Sequence, residues 1–161
     1  MKRNIRARPR GIVTFEVRRH GKLLYRSRSK NLFLNAGLPA LASLLGGVTP
    51  GEFIAAIGFG SGNAPPTLAD AALTAPMYYK AIGAPTFDGL GSVTMAWTLV
   101  ASGGDAGAIG ITIQELALFG NTGSLSLPRG TAPAPILARK VIAPLAFGAG
   151  MSISGTWELT F

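Results

Sequence analysis

The chain of 161 residues contains no cysteine and a single histidine, His20. The absence of cysteine excludes disulfide scaffolds, zinc–thiolate sites and thiol nucleophiles, and it fits a protein that matures in a reducing cytoplasm. A serine–histidine catalytic system would have to use His20, but this residue falls in a predicted hairpin turn among arginine and lysine residues. We therefore interpret His20 as a solvated turn residue.

Charged residues are also scarce, at 14% of the chain against 48% apolar residues. This balance excludes an intrinsically disordered chain, and the 22 glycines and 11 prolines indicate many turns. No apolar run is long enough to span a bilayer, and no apolar segment typical of an export signal follows the basic N-terminal residues. We expect neither a membrane span nor an export signal.

Acidic residues are few, seven against 15 basic residues, and the two signs of charge are divided unevenly. Residues 1–30 contain eleven lysines or arginines and one acid, Glu16, whereas residues 31–161 contain four basic residues and six acids. The high isoelectric point therefore belongs to one segment, and the remainder is nearly neutral. Such a localised basic segment indicates an acidic partner or nucleic acid.

The basic segment is predicted to be an arm followed by a hairpin. Residues 1–10 have no hydrophobic period and are interrupted by a proline, so we expect an extended basic arm. Residues 11–18 alternate apolar and polar side chains, a turn with Gly21 follows, and residues 23–30 alternate again. We therefore predict that residues 11–30 form a basic β-hairpin.

The rest of the chain is predicted to form short strands with one short helix. Leucines at helical spacing, followed by two glycines, predict that helix near residues 36–45. Residues 67–70 resemble the start of a further helical turn, and residues 101–107 are predicted to be a flexible turn. Strand-like patterns separated by turn signals occupy six further segments: 53–59, 77–82, 92–99, 109–119, 136–142 and 151–161.

About eight short strands without crossover helices predict an all-β fold rather than a parallel α/β sheet. We expect an antiparallel β-sandwich or a jelly-roll-like arrangement. Residues 11–161 are predicted to form a single domain that includes the hairpin, and residues 1–10 the arm.

A glycine-rich stretch, Gly58–Gly62, follows a predicted strand and superficially resembles a phosphate-binding loop. A dinucleotide fingerprint needs a further glycine at position 63, which is asparagine, and a helix that the prolines at 65–66 preclude. Ser61 is not in a nucleophile elbow, because position 59 is phenylalanine. We interpret the stretch as a tight turn at a strand end.

Glu115 is the one acid inside an apolar strand, where its alternation partners are Ile111, Ile113 and Ala117. Three interpretations remain open: a buried carboxylate with a cationic partner such as Arg139, a solvent-facing residue of an irregular strand, or, least favoured, a catalytic group. The other acids are scattered singly along the chain. We predict no catalytic residue, no cofactor and no metal site.

The basic segment carries the predicted binding site. Arginine-rich segments bind acidic protein surfaces through carboxylate contacts, and they also bind nucleic acid through phosphates. No helix-turn-helix, zinc-finger or RNA-stacking pattern accompanies this one, so we favour protein docking, then nucleic acid, then a merely solvated face. The predicted docking residues are Arg3, Arg6, Arg8, Arg10, Arg18, Arg19, Arg26 and Arg28, assisted by Lys2, Lys22 and Lys30.

Two stretches resemble proteins of tailed phages and prophages. The first comprises Lys30-Asn31-Leu32, Asn35-Ala36-Gly37-Leu38 and Ile57-Gly58-Phe59-Gly60-Ser61-Gly62. It resembles accessory virion proteins in which a "KNLxxNAGL" segment leads to an "IxxIGxGxG" strand. The second comprises Gln114-Glu115-Leu116-Ala117-Leu118-Phe119-Gly120, Ile136-Leu137-Ala138-Arg139 and the terminal strand 153–161. It is similar to an "EIGLF…LxAR" pattern near tail-fibre attachment regions, with alanine at position 117 where glycine is usual.

The resemblance implies a non-enzymatic structural protein of a tailed-phage virion, assembled in the cytoplasm of the host bacterium. We expect it in the tail, in the baseplate or fibre-attachment region; the alternatives are a capsid decoration protein and a nucleic-acid-associated virion protein. The expected partners are other virion proteins and copies of the chain itself, with no membrane and no small-molecule substrate. Apolar residues near loops are the predicted contacts between copies: Leu127, Ile142, Leu145 and Phe147.

Overall fold

The computed structural model describes residues 8–46, 53–121 and 135–161. One α-helix, α1, covers Gly37–Gly46, and a short 3₁₀ helix covers Gly103–Ala108. The strands, in chain order, are β1 Arg10–Arg19, β2 Lys22–Phe33, β3 Phe53–Gly60, β4 Pro76–Ala81, β5 Thr86–Phe87, β6 Ser92–Val100, β7 Thr112–Asn121, β8 Ile136–Ala146 and β9 Met151–Thr160.

All of these strands belong to one antiparallel sheet. Its order is β4-β3-β7-β8-β2-β1-β9-β6-β5, and each neighbouring pair is antiparallel. The predicted all-β antiparallel class is confirmed. The hydrogen bonding gives one continuous sheet, so the finer assignment to a sandwich or jelly roll stays a prediction.

The sheet curls so that its two halves share a core. The ring of Phe59 on β3 lies 5.6 Å from that of Trp97 on β6, although the two strands are far apart in the sheet order. Trp97 also approaches Phe15 on β1, at 6.4 Å between ring centroids. Because one face of β1, β9 and β6 points into this core, the opposite face of these strands is left on the surface.

The predicted basic hairpin is present as β1 and β2. Its turn places both His20 and Gly21 at positive φ, 48° and 79°, as a two-residue type I′ connection requires. The pairing runs from Arg19 opposite Lys22 to Gly11 opposite Asn31, with one irregularity next to Val17. β1 begins at the last residue of the predicted arm, and residues 1–7 of that arm lie outside the described residues.

The helix near residues 36–45 is confirmed by α1, but two local predictions are wrong. Residues 101–107 are not a flexible turn, since most of them lie in the 3₁₀ helix, which Asp105 anchors by its side chain. Residues 67–70 form a single hydrogen-bonded turn that does not continue into a helix. Both carboxylate oxygens of Asp70 accept from Thr67 there, which closes the turn on itself.

The last strand follows its predicted alternation except at its end. Met151, Ile153, Trp157 and Leu159 are buried, but Phe161 is 61% exposed because β9 ends one residue before it. No helix within the described ranges is long and apolar enough to cross a membrane.

Candidate functional site: the basic hairpin surface

The hairpin holds its cations outward because its other face is committed to the core. Val13, Phe15 and Val17 of β1 are fully buried. Side chains alternate along a strand, so Ile12, Thr14 and Glu16 of β1 face the surface. The β2 residues paired with them face the surface as well. These residues are Arg26, Arg28 and Lys30, which we call the cation row.

Glu16 neutralises part of the basic surface. Its Oε2 accepts from Arg18 at 2.9 Å, and its Oε1 accepts from Arg26 Nε, also at 2.9 Å. The Arg18 and Arg26 guanidinium groups hold the pKa of this carboxyl below its usual value. The side chain of Arg26 is thereby turned toward Glu16 on β1. Arg28 is the next outward-facing residue along β2.

The other hairpin cations have no carboxylate partner within the described ranges. Only Arg18 and Arg26 of the hairpin take part in an ion pair there, and both share Glu16. Arg28 and Lys30 are exposed on β2, and Arg19 and Lys22 flank the turn. The hairpin therefore presents a surplus of positive charge that the described part of the chain does not balance.

The two arginines that precede and begin β1 extend this surface. Arg8 donates to Asn35 Oδ1 at 2.8 Å, which ties the start of the hairpin to the segment before α1. Arg8, Arg10 and Lys30 line an open groove of about 800 Å³. Arg3 and Arg6, the remaining predicted docking arginines, lie outside the described residues, as does Lys2.

Glu115 and Arg139 form a buried ion pair, the first of the three interpretations given for Glu115. Their side chains are 0% and 1% exposed, and Arg139 Nε donates to Glu115 Oε2 at 2.8 Å. Glu115 also accepts from the backbone N–H groups of Gly62, Thr74 and Ala75, at 2.8 to 3.2 Å. Both oxygens are occupied by structural donors, so this carboxylate has no free position with which to attack or deprotonate a substrate.

The same arginine anchors the loop between β3 and β4. It donates to Asp70 Oδ2 at 2.8 Å, to Thr74 Oγ1 at 2.6 Å and to the carbonyl oxygen of Ala64 at 3.1 Å. Burial disfavours the Asp70 carboxylate, but hydrogen bonds from Thr67 and Arg139 outweigh burial and keep its pKa below the usual value. We call Glu115, Arg139, Asp70 and Thr74 the buried network.

The buried network explains the glycine-rich stretch. A Cβ at Gly62 would lie 2.6 Å from Glu115 Oε1, and one at Gly60 would lie 2.7 Å from the carbonyl oxygen of Ala75. The glycines are therefore required by the close approach of the Glu115 carboxylate and of the loop backbone. The stretch does bind an anionic group, but that group belongs to the chain itself.

A second polar cluster, which the sequence did not indicate, fixes the 3₁₀ helix. Asp105 accepts from Tyr78 at 3.1 Å, from the Val100 N–H at 3.0 Å, and from Lys80. Burial opposes ionisation of Asp105, but Lys80 and these donors keep its pKa below the usual value. Burial and the Asp105 carboxylate raise the pKa of Tyr78 to about 12. This tyrosine therefore stays protonated and acts as a structural donor.

No protein-family model, curated protein or solved structure matches this chain.

The two stretches singled out in the sequence, 30–62 and 114–161, contribute to the framework of the fold. Glu115 and Arg139 supply the buried pair, and the glycines of the first stretch lie against it. A Cβ at Gly37 would lie 2.9 Å from the carbonyl oxygen of Leu137, so this motif glycine permits close packing of α1 against β8. Residues of these motifs therefore provide buried contacts of the fold, and of the cation row only Lys30 belongs to them.

The predicted contacts between copies need one correction. Phe147 is 1% exposed and packs in the core, so its side chain is not available to a second copy. Ile142 and Leu145 are partly buried against the same core, and Leu127 lies outside the described residues. Among the described residues, the most exposed large apolar side chains are elsewhere, at Leu90, Phe87 and Phe161.

Among the described residues, no three side chains of histidine, cysteine, aspartate or glutamate lie close enough together to hold a metal ion.

Proposed function

We propose that this chain is a non-enzymatic structural protein of a tailed-phage virion. It docks to an acidic surface of a neighbouring virion protein, most naturally in the tail at the baseplate or fibre-attachment region. The observation that carries the docking proposal is the cation row, which the strand pairing of the hairpin directs outward and which the carboxylates of the described residues do not balance. The resemblance of the second stretch, residues 114–120, 136–139 and 153–161, to tail-fibre attachment regions supports placement in the tail.

Geometry favours a protein partner for this surface. Next to the cation row, Leu23, Leu24 and Tyr25 are 42%, 54% and 46% exposed. Exposed tyrosine and arginine beside aliphatic residues are typical of protein interfaces, in which arginine also pairs with carboxylates in a bidentate manner. Proteins that bind single-stranded nucleic acid stack bases on aromatic rings, and the hairpin exposes only two such rings, Tyr25 and His20.

Attachment through this surface has to be collective. A single exposed ion pair contributes at most about 1 kcal/mol, so firm docking needs several pairs that lose water together. Repeated copies around a symmetric particle would multiply the effect, because each copy holds its neighbours close to their own sites.

The test is binding of purified protein to DNA-free particles and to duplex DNA at equal ionic strength. Arg28→Glu/Lys30→Glu should weaken particle binding roughly a hundredfold, since like charges set against an acidic surface cost several kcal/mol. The control Ala96→Glu/Thr98→Glu adds two exposed acids to β6 on the same sheet face, away from the hairpin, and should bind nearly as the parent does. Its change in net charge, −2, equals that of the single variant Arg28→Glu, which should bind about tenfold more weakly than the parent.

Tight DNA binding without affinity for DNA-free particles would overturn the docking proposal and favour a nucleic-acid-associated role. Equal losses in Arg28→Glu and the control would show that net charge, rather than the hairpin, determines attachment.

A further inference from the structure

One edge of β2 is open along most of its length. β2 has 12 residues, and β1 pairs with it from Lys22 to Asn31. On its other side, β8 pairs with only Leu32 and Phe33. Within the described ranges, the remaining ten residues of β2 therefore have no strand partner on that side.

The backbone groups of the cation row point to this open edge. Leu34 N–H donates to the carbonyl oxygen of Leu137, and Leu32 is paired with Arg139, so the even-numbered residues at this end of β2 bond toward β8. Hydrogen-bonding direction alternates along a strand, and the pairing with β1 is regular from Asn31 to Tyr25. The N–H and C=O groups of Lys30, Arg28 and Arg26 are therefore directed outward on the same side.

The side chains along the edge define what can bind there. Arg26, Arg28 and Lys30 carry positive charge on the outer face, with a period of two residues. On the inner face of the same stretch, Ser29 Oγ and the side-chain amide of Asn31 are buried and have no hydrogen-bond partner in the described part of the chain. A buried polar group left without a partner is costly, so these atoms favour a ligand that brings hydrogen-bonding groups.

We propose that the open edge of β2 accepts an extended acidic segment of the docking partner as an added strand. This inference rests on the proposed function and specifies its contact. The added strand hydrogen-bonds to the backbone of the cation row. It places an acidic side chain at every second position, against Arg26, Arg28 and Lys30, and polar side chains at the intervening positions near Ser29 and Asn31.

A second copy of the chain does not fit this edge. Two β2 edges laid together would set two cation rows side by side, and like charges across a strand pair are destabilising. The chain also has no acidic strand of its own to offer, because its seven acids are scattered and no two of them lie within nine residues of each other in the sequence. An acidic strand must therefore come from another protein.

Cations on an open edge are also a known device against unwanted strand pairing. If this were the only role of the cation row, it would repel added strands of any kind, and no apolar contact surface would be expected beside it. The exposed Leu23, Leu24 and Tyr25 at the turn end of the same strand instead offer an apolar anchor for the incoming segment. Experiment separates the two interpretations, because only strand addition protects the outward backbone N–H groups.

The first experiment uses a peptide of about eight residues that alternates glutamate and threonine, a length typical of strands. Its control has the same composition with the glutamates in one block. We expect hydrogen exchange of the Arg26, Arg28 and Lys30 amides in the full chain to slow about tenfold or more with the alternating peptide, and much less with the control. No binding, or binding without protection of these amides, would overturn strand addition.

The second experiment compares Arg28→Pro with Arg28→Ala in binding to DNA-free particles. Both variants remove the charge, but only proline removes the outward N–H, and proline is tolerated at a strand edge whose N–H is not bonded within the sheet. We expect Arg28→Pro to bind about tenfold more weakly than Arg28→Ala, the loss of roughly one hydrogen bond.

The outcomes distinguish the two proposals. Equal binding by the two variants, each weaker than the parent chain, would leave docking through the cation row standing and would overturn strand addition. Failure of the parent chain to bind particles would overturn the proposed function itself. The peptide experiment uses the unaltered chain, so it decides the matter even if the proline variant does not fold.

Discussion

Arg139→Met is expected to lower the free energy of unfolding by about 3–5 kcal/mol, a large share of the stability of a domain of this size. The methionine leaves Glu115 fully buried without a cation and also removes the donors that hold Asp70, Thr74 and the carbonyl oxygen of Ala64. An uncompensated buried charge is much more costly than the net contribution of the intact pair. The measurement is urea or guanidinium denaturation followed by fluorescence.

The matched control is Arg28→Met, the same substitution at an exposed arginine. Arg28 has no carboxylate partner in the described part of the chain, so the free energy of unfolding should change by no more than about 0.5 kcal/mol. Adding Glu115→Gln to Arg139→Met should recover part of the loss, because the buried charge is then gone while an oxygen remains to accept from the backbone N–H groups. Equal stability of Arg139→Met and its control would contradict the buried network as the anchor of the loop between β3 and β4.

Trp157→Ala is expected to lower the free energy of unfolding by about 3–5 kcal/mol, as truncation of a large core side chain does. Trp157 is fully buried on β9, where it stands between Val13 of β1 and Met95 of β6. Its removal opens a cavity in the core that the curled sheet encloses, and strands fixed by hydrogen bonds on both sides cannot close it.

Trp157→Phe is the informative comparison for this position. The Trp157 Nε1 atom is buried without a hydrogen-bond partner in the described residues, so phenylalanine removes an unsatisfied donor while keeping most of the ring. We expect this variant to lose less than half as much stability as alanine in the same denaturation assay. A larger loss for phenylalanine than for alanine would contradict the view that packing volume is what Trp157 contributes.

Local patterns in the sequence predicted the strands well. Period-two alternation identified the hairpin, and it identified β9 up to Leu159, because burying one face of a strand constrains every second residue. The same pattern could not predict β5, which has two residues, or the exposure of Phe161. Both depend on where a strand ends, and the composition of a few residues does not determine that.

The sheet order could not be predicted from local patterns. β1 pairs with β9, about 140 residues away in the chain, and the curl brings Phe59 to Trp97. Many strand orders satisfy the same alternation, and the choice among them depends on contacts between distant segments.

The buried network shows how far chemistry can be predicted from residue types. For Glu115, an acid inside an apolar strand, a buried pair with a cation such as Arg139 was one of three interpretations, and the structure confirms that one. The contributions of Asp70 and of the glycines were missed, because a loop brings them to the pair from positions remote in sequence. The Asp105 cluster was missed for the same reason.

The docking surface was predicted from charge alone, and its geometry was not. Eleven basic residues in the first thirty indicated a basic segment. Only the strand pairing shows that three of them form a row along an edge that is open in the described structure. The sequence contains no signal for that edge, since it depends on where β8 leaves β2.

The most direct test of the account is an electron-microscopic map of the phage particle in which this chain is located. We expect copies in the tail, with the cation row of β2 against an acidic neighbour and a strand of that neighbour continuing the sheet beyond β2. Absence of the chain from purified particles, or its presence there with the β2 edge facing solvent, would contradict the account.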